Sequence, residues 1–166
     1  MPAVSDASPL LLLAKIGKLY LLRELYSEIV IPLQVRDEVV KYKDEASSLI
    51  TIEIEKGWIK LKDIEISPEI NGIGEKLGLH KGERYALSVA MHLDIKEFLA
   101  DDKLARIAAR ILNLRAIGCL GIVMKAYETG VITRKDAIDS IQKLVKAGLW
   151  VSPEVLAEIF KFLEEH

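Results

Sequence analysis

Residues 3–9, with the sequence Ala-Val-Ser-Asp-Ala-Ser-Pro, constrain the fold of this chain more than any other stretch. A short apolar run ends there in a single carboxylate, Asp6, and a proline follows three residues later. Pro9 is tolerated in the first turn of a helix, so the leucine-rich residues 9–16 are predicted to be helical. Asp6 then lies where a buried strand ends and a helix begins. In open α/β sheets, ligands bind beyond the carboxyl ends of the strands, so Asp6 is either a helix cap or part of an active site.

Length and composition describe a single folded domain. A chain of 166 residues can bury a sizeable core, and its 51% hydrophobic and 29% charged residues exclude a disordered protein. The net charge of −2 excludes a nucleic-acid binder held by a general positive field, although a local basic rim is still compatible with it.

The sequence also indicates a cellular setting. The lone cysteine, Cys119, predicts a reducing compartment, and no apolar run approaches the length of a membrane span. No basic and apolar leader opens the sequence, so we expect a cytoplasmic protein without a membrane partner. Asparagine and glutamine are scarce while lysine and glutamate are abundant, which is typical of a thermophilic source.

Strand-like and helix-like segments alternate along the first 130 residues. The predicted strands cover residues 3–5, 28–31, 58–64, 97–100 and 115–117. The predicted helices cover residues 9–16, 18–26, 32–56, 82 onwards, 103–112 and 121–129. Residues 67–79 are turn-rich. The alternation implies βαβ units, and therefore an α/β fold with a mainly parallel central sheet of about five strands.

Residues 131–166 have a different pattern and are assigned to a C-terminal helical extension of the 1–130 domain. A capping box over Thr133–Asp136 starts one helix, and Gly148 ends it. Ser152-Pro153 starts a second helix, which completes a helical hairpin. Because a hairpin cannot bury its apolar stripes alone, it must dock on the α/β body or on a second subunit, and we expect a homodimer.

Acidic residues recur at strand ends and beside apolar helix faces. Asp6 follows the first strand, and the pair Asp101-Asp102 follows the fourth, which is expected to be a neighbour of the first. Glu38 lies beside the apolar stripe of its helix, and Glu83 lies at the top of a buried helix face. Such a cluster of like charges persists when a divalent cation neutralises it. Oxygen ligands alone, with no histidine or cysteine nearby, favour Mg²⁺ or Mn²⁺ over zinc.

Each carboxylate also has an ordinary structural explanation. Asp6 can cap the following helix, and Glu38 can be a solvated charge. The helix dipole stabilises a glutamate such as Glu83 at the start of any helix, and either Asp101 or Asp102 can serve as an N-cap. The joint placement of these residues, rather than any single one, favours a functional site.

Other residues carry weaker signals. His80 is interpreted as a loop residue, and Trp58 and Trp150 as core or docking residues rather than base-stacking platforms. A basic rim that contacts RNA can be formed by Arg84, Lys103 and Arg106, although a solvated helix face explains these residues equally well. Arg106 lies four residues after Asp102 and can pair with it or with a phosphate.

Four motifs in order resemble those of PIN domains. They are residues 4–10 (Val-Ser-Asp-Ala-Ser-Pro-Leu), Ile31-Pro32 followed by Glu38, residues 82–87 (Gly-Glu-Arg-Tyr-Ala-Leu) and residues 99–106 (Leu-Ala-Asp-Asp-Lys-Leu-Ala-Arg). The resemblance covers nearly the whole chain and is strongest to a prokaryotic branch with a helical C-terminal extension. It implies a three-layer α/β/α sandwich and a metal-dependent ribonuclease, as in the VapC-like toxins of toxin–antitoxin pairs.

The resemblance also implies roles for individual residues. The catalytic carboxylates are expected to be Asp6, Glu38, Glu83 and Asp102. The ligands of Mg²⁺ or Mn²⁺ are expected to be Asp6, Glu83, Asp101 and Asp102. Ser8 is expected to support Asp6, and the expected partners are RNA and an antitoxin protein.

Two departures from the family pattern leave alternatives open. Many toxin PIN domains have aspartate where Glu83 stands, so the metal position can differ. The Asp101-Asp102 pair leaves open which member faces the site, and Asp102 agrees better with the family pattern. The alternative function is a non-catalytic PIN-like module that binds RNA or a partner protein. The position of the acidic pair after the fourth strand argues against a receiver-like domain, which carries that pair after the first strand.

Overall fold

A computed structural model describes residues 1–166 and shows a five-stranded, all-parallel sheet in the order β3-β2-β1-β4-β5. The strands are β1 Ala3–Ser5, β2 Ile29–Pro32, β3 Ile59–Lys62, β4 Glu97–Leu99 and β5 Arg115–Ile117. β1 is buried along its whole length because helices cover both faces of the sheet. The predicted three-layer α/β/α architecture with about five parallel strands is confirmed.

Ten helices accompany the sheet. They are α1 Ala7–Lys15, α2 Tyr20–Leu25, α3 Leu33–Lys41, α4 Glu45–Lys56, α5 Pro68–Leu77, α6 Lys81–Leu93, α7 Lys103–Ile111, α8 Cys119–Glu128, α9 Arg134–Lys146 and α10 Pro153–Glu165. No helix is both long enough and apolar enough to cross a membrane.

The order of the strands creates a crevice between β1 and β4. Val4 of β1 is in register with Val30 of β2 on one side and with Phe98 of β4 on the other. The chain moves outwards from β1 to β2 and β3, and then returns to the other side of β1 as β4. At such a reversal, the segments that follow the two central strands diverge and leave room for a ligand. Asp6 and the Asp101-Asp102 pair follow these two strands.

The long helix predicted over residues 32–56 is two helices, α3 and α4. Lys43 between them adopts a left-handed conformation with φ of 52°, which no helix can accommodate. Asp44 then caps α4, because its side chain accepts a hydrogen bond from the backbone N–H of Ser47 at 2.9 Å. The predicted end at Gly57 is confirmed, since this residue has a φ of 90°.

The turn-rich residues 67–79 contain a ten-residue helix, α5. Ser67 caps its first turn, Pro68 opens it, and Gly78 ends it in the left-handed conformation. Gly74 lies inside this helix because the side chain of Arg84 packs directly against it. Gly74 and Gly78 therefore serve helix packing and helix termination.

A buried charge cluster lies at the amino-terminal end of the sheet, opposite the crevice. Glu97 at the start of β4 is 7% exposed and accepts hydrogen bonds from the Tyr26 hydroxyl at 3.2 Å and from Nε of Arg115 at 3.0 Å. Nζ of Lys125 lies 3.5 Å from the same carboxylate. Burial, together with the charge of Glu97, raises the pKa of Tyr26 well above its usual range. This cluster ties β4, β5, α2 and α8 together.

The C-terminal extension shares one hydrophobic core with the α/β body. Ala137, Ile141 and Leu144 of α9 are fully buried, and α9 packs against α8. The predicted capping box is present, since Thr133 and Asp136 exchange hydrogen bonds. By contrast, α10 buries only Leu163 completely, so most of its apolar stripe is left partly exposed.

Candidate active site

Asp6 follows β1 directly, and its side chain does not cap the next helix. It occupies the N-cap position of α1, but it makes no capping hydrogen bond. Its backbone N–H instead donates to the carbonyl of Leu99 in β4 at 2.9 Å, which fixes the residue at the floor of the crevice. The capping explanation for Asp6 is therefore excluded.

The carboxylate of Asp6 is buried without a partner for one of its oxygens. The residue is 3% exposed, and its Oδ1 atom accepts no hydrogen bond. Burial raises the pKa of Asp6 from 3.8 to about 7, and the nearby carboxylates of Glu83 and Glu38 contribute to the rise. A buried, unpaired carboxylate is costly, so this geometry calls for a proton or a cation at Oδ1.

Glu38 enters the crevice from α3, and a glycine makes room for it. A Cβ atom at Gly82, in the first turn of α6, would lie only 2.9 Å from Oε2 of Glu38 and 3.2 Å from the ring of His80. The half-buried Glu38 carboxylate therefore packs against the start of α6. The interpretation of Glu38 as a freely solvated charge does not agree with this contact.

Glu83 and His80 form a reciprocal pair at the start of α6. The backbone N–H of His80 donates to the Glu83 carboxylate at 3.1 Å, and the backbone N–H of Glu83 donates to Nδ1 of His80 at 3.3 Å. Nε2 of His80 lies 3.5 Å from the same carboxylate. Burial raises the pKa of Glu83, while the hydrogen bond and charge of His80 lower it and the charges of Asp102 and Glu38 raise it again. His80 thus lies in the loop just before α6, as expected, and its side chain also caps that helix.

Three side chains lie close enough to bind one ion together. Ligand atoms of Asp6, Glu38 and His80 all lie within 4.8 Å of one another. Of these three, Asp6 was expected to bind the metal and Glu38 to be a catalytic carboxylate, whereas the other expected ligands, Glu83, Asp101 and Asp102, are not in this group. His80 was missed, because the usual capping box has serine or threonine at this position and a single histidine offers no ligand spacing; its presence departs from the oxygen-only ligand set that was expected.

The two members of the acidic pair have different surroundings. The half-buried Asp101 accepts hydrogen bonds from the Ser8 hydroxyl at 3.1 Å and from the backbone N–H and thiol of Cys119 at 2.7 and 3.2 Å. The exposed Asp102 accepts from the backbone N–H of Ala105 at 2.9 Å and thereby caps α7. Ser8 was expected to support Asp6, but its hydroxyl donates to Asp101 instead.

Burial and the charge of Asp101 raise the pKa of Cys119 well above its ordinary value, so this thiol stays protonated as a donor.

All of the predicted acidic residues line one open cleft of about 820 Å³. Its walls include Asp6, Glu38, His80, Glu83, Asp101, Asp102, Ser8, Lys103 and Arg106. Arg84 lies outside it, because its guanidinium donates to the carbonyl of Leu79 and to the side chain of Asn71, both at 2.9 Å. Of the three basic residues proposed to contact RNA, only Lys103 and Arg106 face the cleft.

The donor set fits a divalent cation. Asp6 offers an oxygen that is buried and unpaired, and ligand atoms of Asp6, Glu38 and His80 lie within 4.8 Å of one another. Glu83 and Asp102 add negative charge in the same cleft. A cation at this position removes both the desolvation cost and the mutual repulsion of the carboxylates.

Fold and site together define a three-layer α/β/α protein with an acidic cleft at the switch point of its sheet. Residues 2–165 match the family model DUF3368, a PIN domain. The chain therefore belongs to the PIN-domain family. PIN domains are in general nucleases, and PIN nucleases typically use divalent metals. Comparisons with curated proteins and with solved structures find no match.

Proposed function

We propose that this protein is a ribonuclease that hydrolyses phosphodiester bonds of RNA with the aid of Mg²⁺ or Mn²⁺. The observation that carries the proposal is the buried, unpaired Oδ1 of Asp6 beside Glu38 and His80. A helix cap or a structural ion pair would have left this oxygen with a protein partner. The family supports nuclease chemistry in general, and RNA as the substrate is the finer part of the proposal.

In this proposal the residues of the cleft have different roles. Asp6 and Glu38 hold the cation, and the hydrogen bond from His80 keeps the carboxylate of Glu83 in place to orient a water molecule. A divalent cation in this position supplies an activated water and neutralises charge on the phosphate. Lys103 and Arg106, which form no ion pair within the protein, bind the flanking phosphates.

The decisive experiment is calorimetric titration of Mn²⁺ and of Mg²⁺ into the wild-type protein and D6N, followed by an RNA cleavage assay. We expect saturable binding to the wild type, loss of binding in D6N, and cleavage only where binding occurs. D37N is the matched control, because Asp37 is exposed beside Glu38 and pairs only with Arg36 on the surface.

The possible outcomes separate the two candidate functions. Metal binding with cleavage that D6N abolishes and D37N preserves supports the nuclease. RNA binding by a wild-type protein that takes up no metal would refute it and favour a non-catalytic binding module. Equal cleavage by the wild type and D6N would refute the assigned role of Asp6.

We further propose that the nuclease acts as the toxin of a toxin–antitoxin pair, as a cytoplasmic homodimer. Support for the toxin role comes from the resemblance to VapC-like proteins, and support for the dimer from α10, whose Val155 is 48% exposed. Induced expression of wild type and D6N tests the toxin role. Growth arrest by the wild type alone is expected, and equal growth of both strains would contradict it.

A further inference from the structure

Trp150 is the most exposed large apolar side chain of the protein, and it stands on the wall of the acidic cleft. It is 82% exposed, whereas Trp58 is 8% exposed and donates its indole N–H to Glu53. Of the core or docking positions expected for both tryptophans, the core position is confirmed for Trp58 and excluded for Trp150. An indole left in water beside a candidate active site presents a free aromatic face to whatever enters the cleft.

The segment that carries Trp150 is anchored at both ends. Gly148 ends α9 with a φ of 111°, and the backbone N–H of Leu149 donates to the carbonyl of Leu144 at 3.0 Å. On the other side, Ser152 caps α10 by accepting from the backbone N–H of Val155 at 3.2 Å. The backbone at Trp150 is thus held at a defined place on the wall by two helix ends, which keeps the indole beside the cleft.

The same cleft contains the charges that a nucleic-acid strand requires. Lys103 and Arg106 face it from α7 without an acidic partner in any ion pair, and the carboxylate of Asp6 is buried in the same cleft. A single strand exposes both phosphates and base faces, whereas a duplex stacks its base faces away. Unpaired cations favour such a strand over an apolar protein segment, because a polypeptide backbone offers them no charge to neutralise.

We propose that Trp150 stacks on a nucleobase of single-stranded RNA while the adjoining phosphate lies against Lys103 and Arg106. Trp150 is then a positioning residue that sets which nucleotide reaches the carboxylates. The proposal rests on the ribonuclease function proposed above. Because stacking is tolerant of base identity, Trp150 contributes affinity for any exposed base and fixes the position of the strand along the cleft. Purines are favoured because they have a larger face.

The test uses the full chain and a single-stranded RNA 12-mer in EDTA, so that binding is measured without cleavage. We expect RNA to quench the fluorescence of Trp150, and W58F to retain this quenching. W150A is expected to bind RNA roughly 5- to 100-fold more weakly, and W150F is expected to recover most of that loss. In cleavage assays with Mn²⁺, W150A should raise KM more than it lowers kcat.

Controls separate stacking from general effects. I111A is the matched variant, because Ile111 is 58% exposed at the end of α7 and does not line the cleft. It should bind like the wild type. The salt dependence of binding should be unchanged in W150A, since the indole contacts no phosphate.

The failure of this inference is distinguishable from the failure of the proposed function. A wild type that cleaves RNA, with W150A equal to it in affinity and KM, overturns the role of Trp150 and leaves the nuclease intact. A wild type that neither binds nor cleaves RNA overturns both. Quenching of Trp150 by a co-purifying protein, with no response to RNA, would assign the indole to a protein partner and overturn the stacking proposal.

Discussion

Replacing Asp6 by asparagine is expected to stabilise the metal-free protein at neutral pH. The wild-type carboxyl has its pKa raised from 3.8 to about 7 in the folded state, first because of burial. Between these pH values, the folded state therefore binds more protons than the unfolded state. The free energy of unfolding consequently falls as the pH rises from about 4 to about 7, and the loss is complete above that range.

The magnitude follows from the same pKa values. One pKa unit corresponds to about 1.4 kcal/mol, so the rise from 3.8 to about 7 costs the wild type about 4 kcal/mol at pH 8 relative to pH 4. The side-chain amide of the D6N variant does not titrate, and all other groups are common to both proteins. The difference in unfolding free energy between D6N and the wild type should therefore change by about this amount, in favour of D6N, from pH 4 to pH 8.

Urea unfolding, followed by circular dichroism in EDTA at several pH values, measures this difference directly. Metal should narrow this difference at pH 8 by stabilising the wild type. At 100 times its dissociation constant, Mn²⁺ stabilises a protein that binds it by about 2.7 kcal/mol, and only the wild type should gain. D37N should have the same pH dependence of its unfolding free energy, and the same stabilisation by Mn²⁺, as the wild type. A pH-independent difference, or equal stabilisation of D6N by Mn²⁺, would refute the argument that Asp6 is a desolvated metal ligand.

Four further predictions test other parts of the structure. G82A should fold but lose metal affinity in calorimetry, whereas G72A, where a Cβ meets nothing within 4 Å, should keep it. H80A should weaken Mn²⁺ binding about 10- to 100-fold, and unchanged binding would exclude His80 from the site. E97Q should lower the unfolding free energy by about 2 kcal/mol in urea titrations, and a neutral effect would show that the buried charge cluster is dispensable. V155E should convert a dimer to a monomer in light scattering, and an unchanged mass would exclude α10 as the interface.

The sheet could be predicted from the sequence because each strand carries its own local signals. All five strands lie within the predicted segments or within one residue of them, since short apolar runs alternate with helical periodicity. The pairing of β1 with β4 was also predictable from the α/β pattern. This pairing brings Asp6 and the acidic pair to one crevice. The break at Lys43 was missed because its signal, the cap at Asp44, is a single residue within a helical pattern.

Most hydrogen bonds of the site could not be predicted, because they depend on how precisely segments far apart in the chain are placed relative to one another. Gly118 illustrates the point, since a Cβ atom there would lie 2.7 Å from Oδ1 of Asp101. Only this close approach lets Asp101 reach the backbone N–H of Cys119, while its neighbour Asp102 turns to cap α7. No feature of two adjacent aspartates in a sequence distinguishes these environments.

The surroundings of Asp6 show why burial, rather than residue type, marks the centre of the cleft. Asp102 and Glu83 have backbone donors and serve their helices whether or not an ion is bound. Asp6 lies at an equivalent helix start, yet its backbone is held by Leu99 and its Oδ1 faces no donor. Of these carboxylates, Asp6 is the one left with a buried oxygen that nothing in the protein satisfies, so binding a cation lowers its energy most.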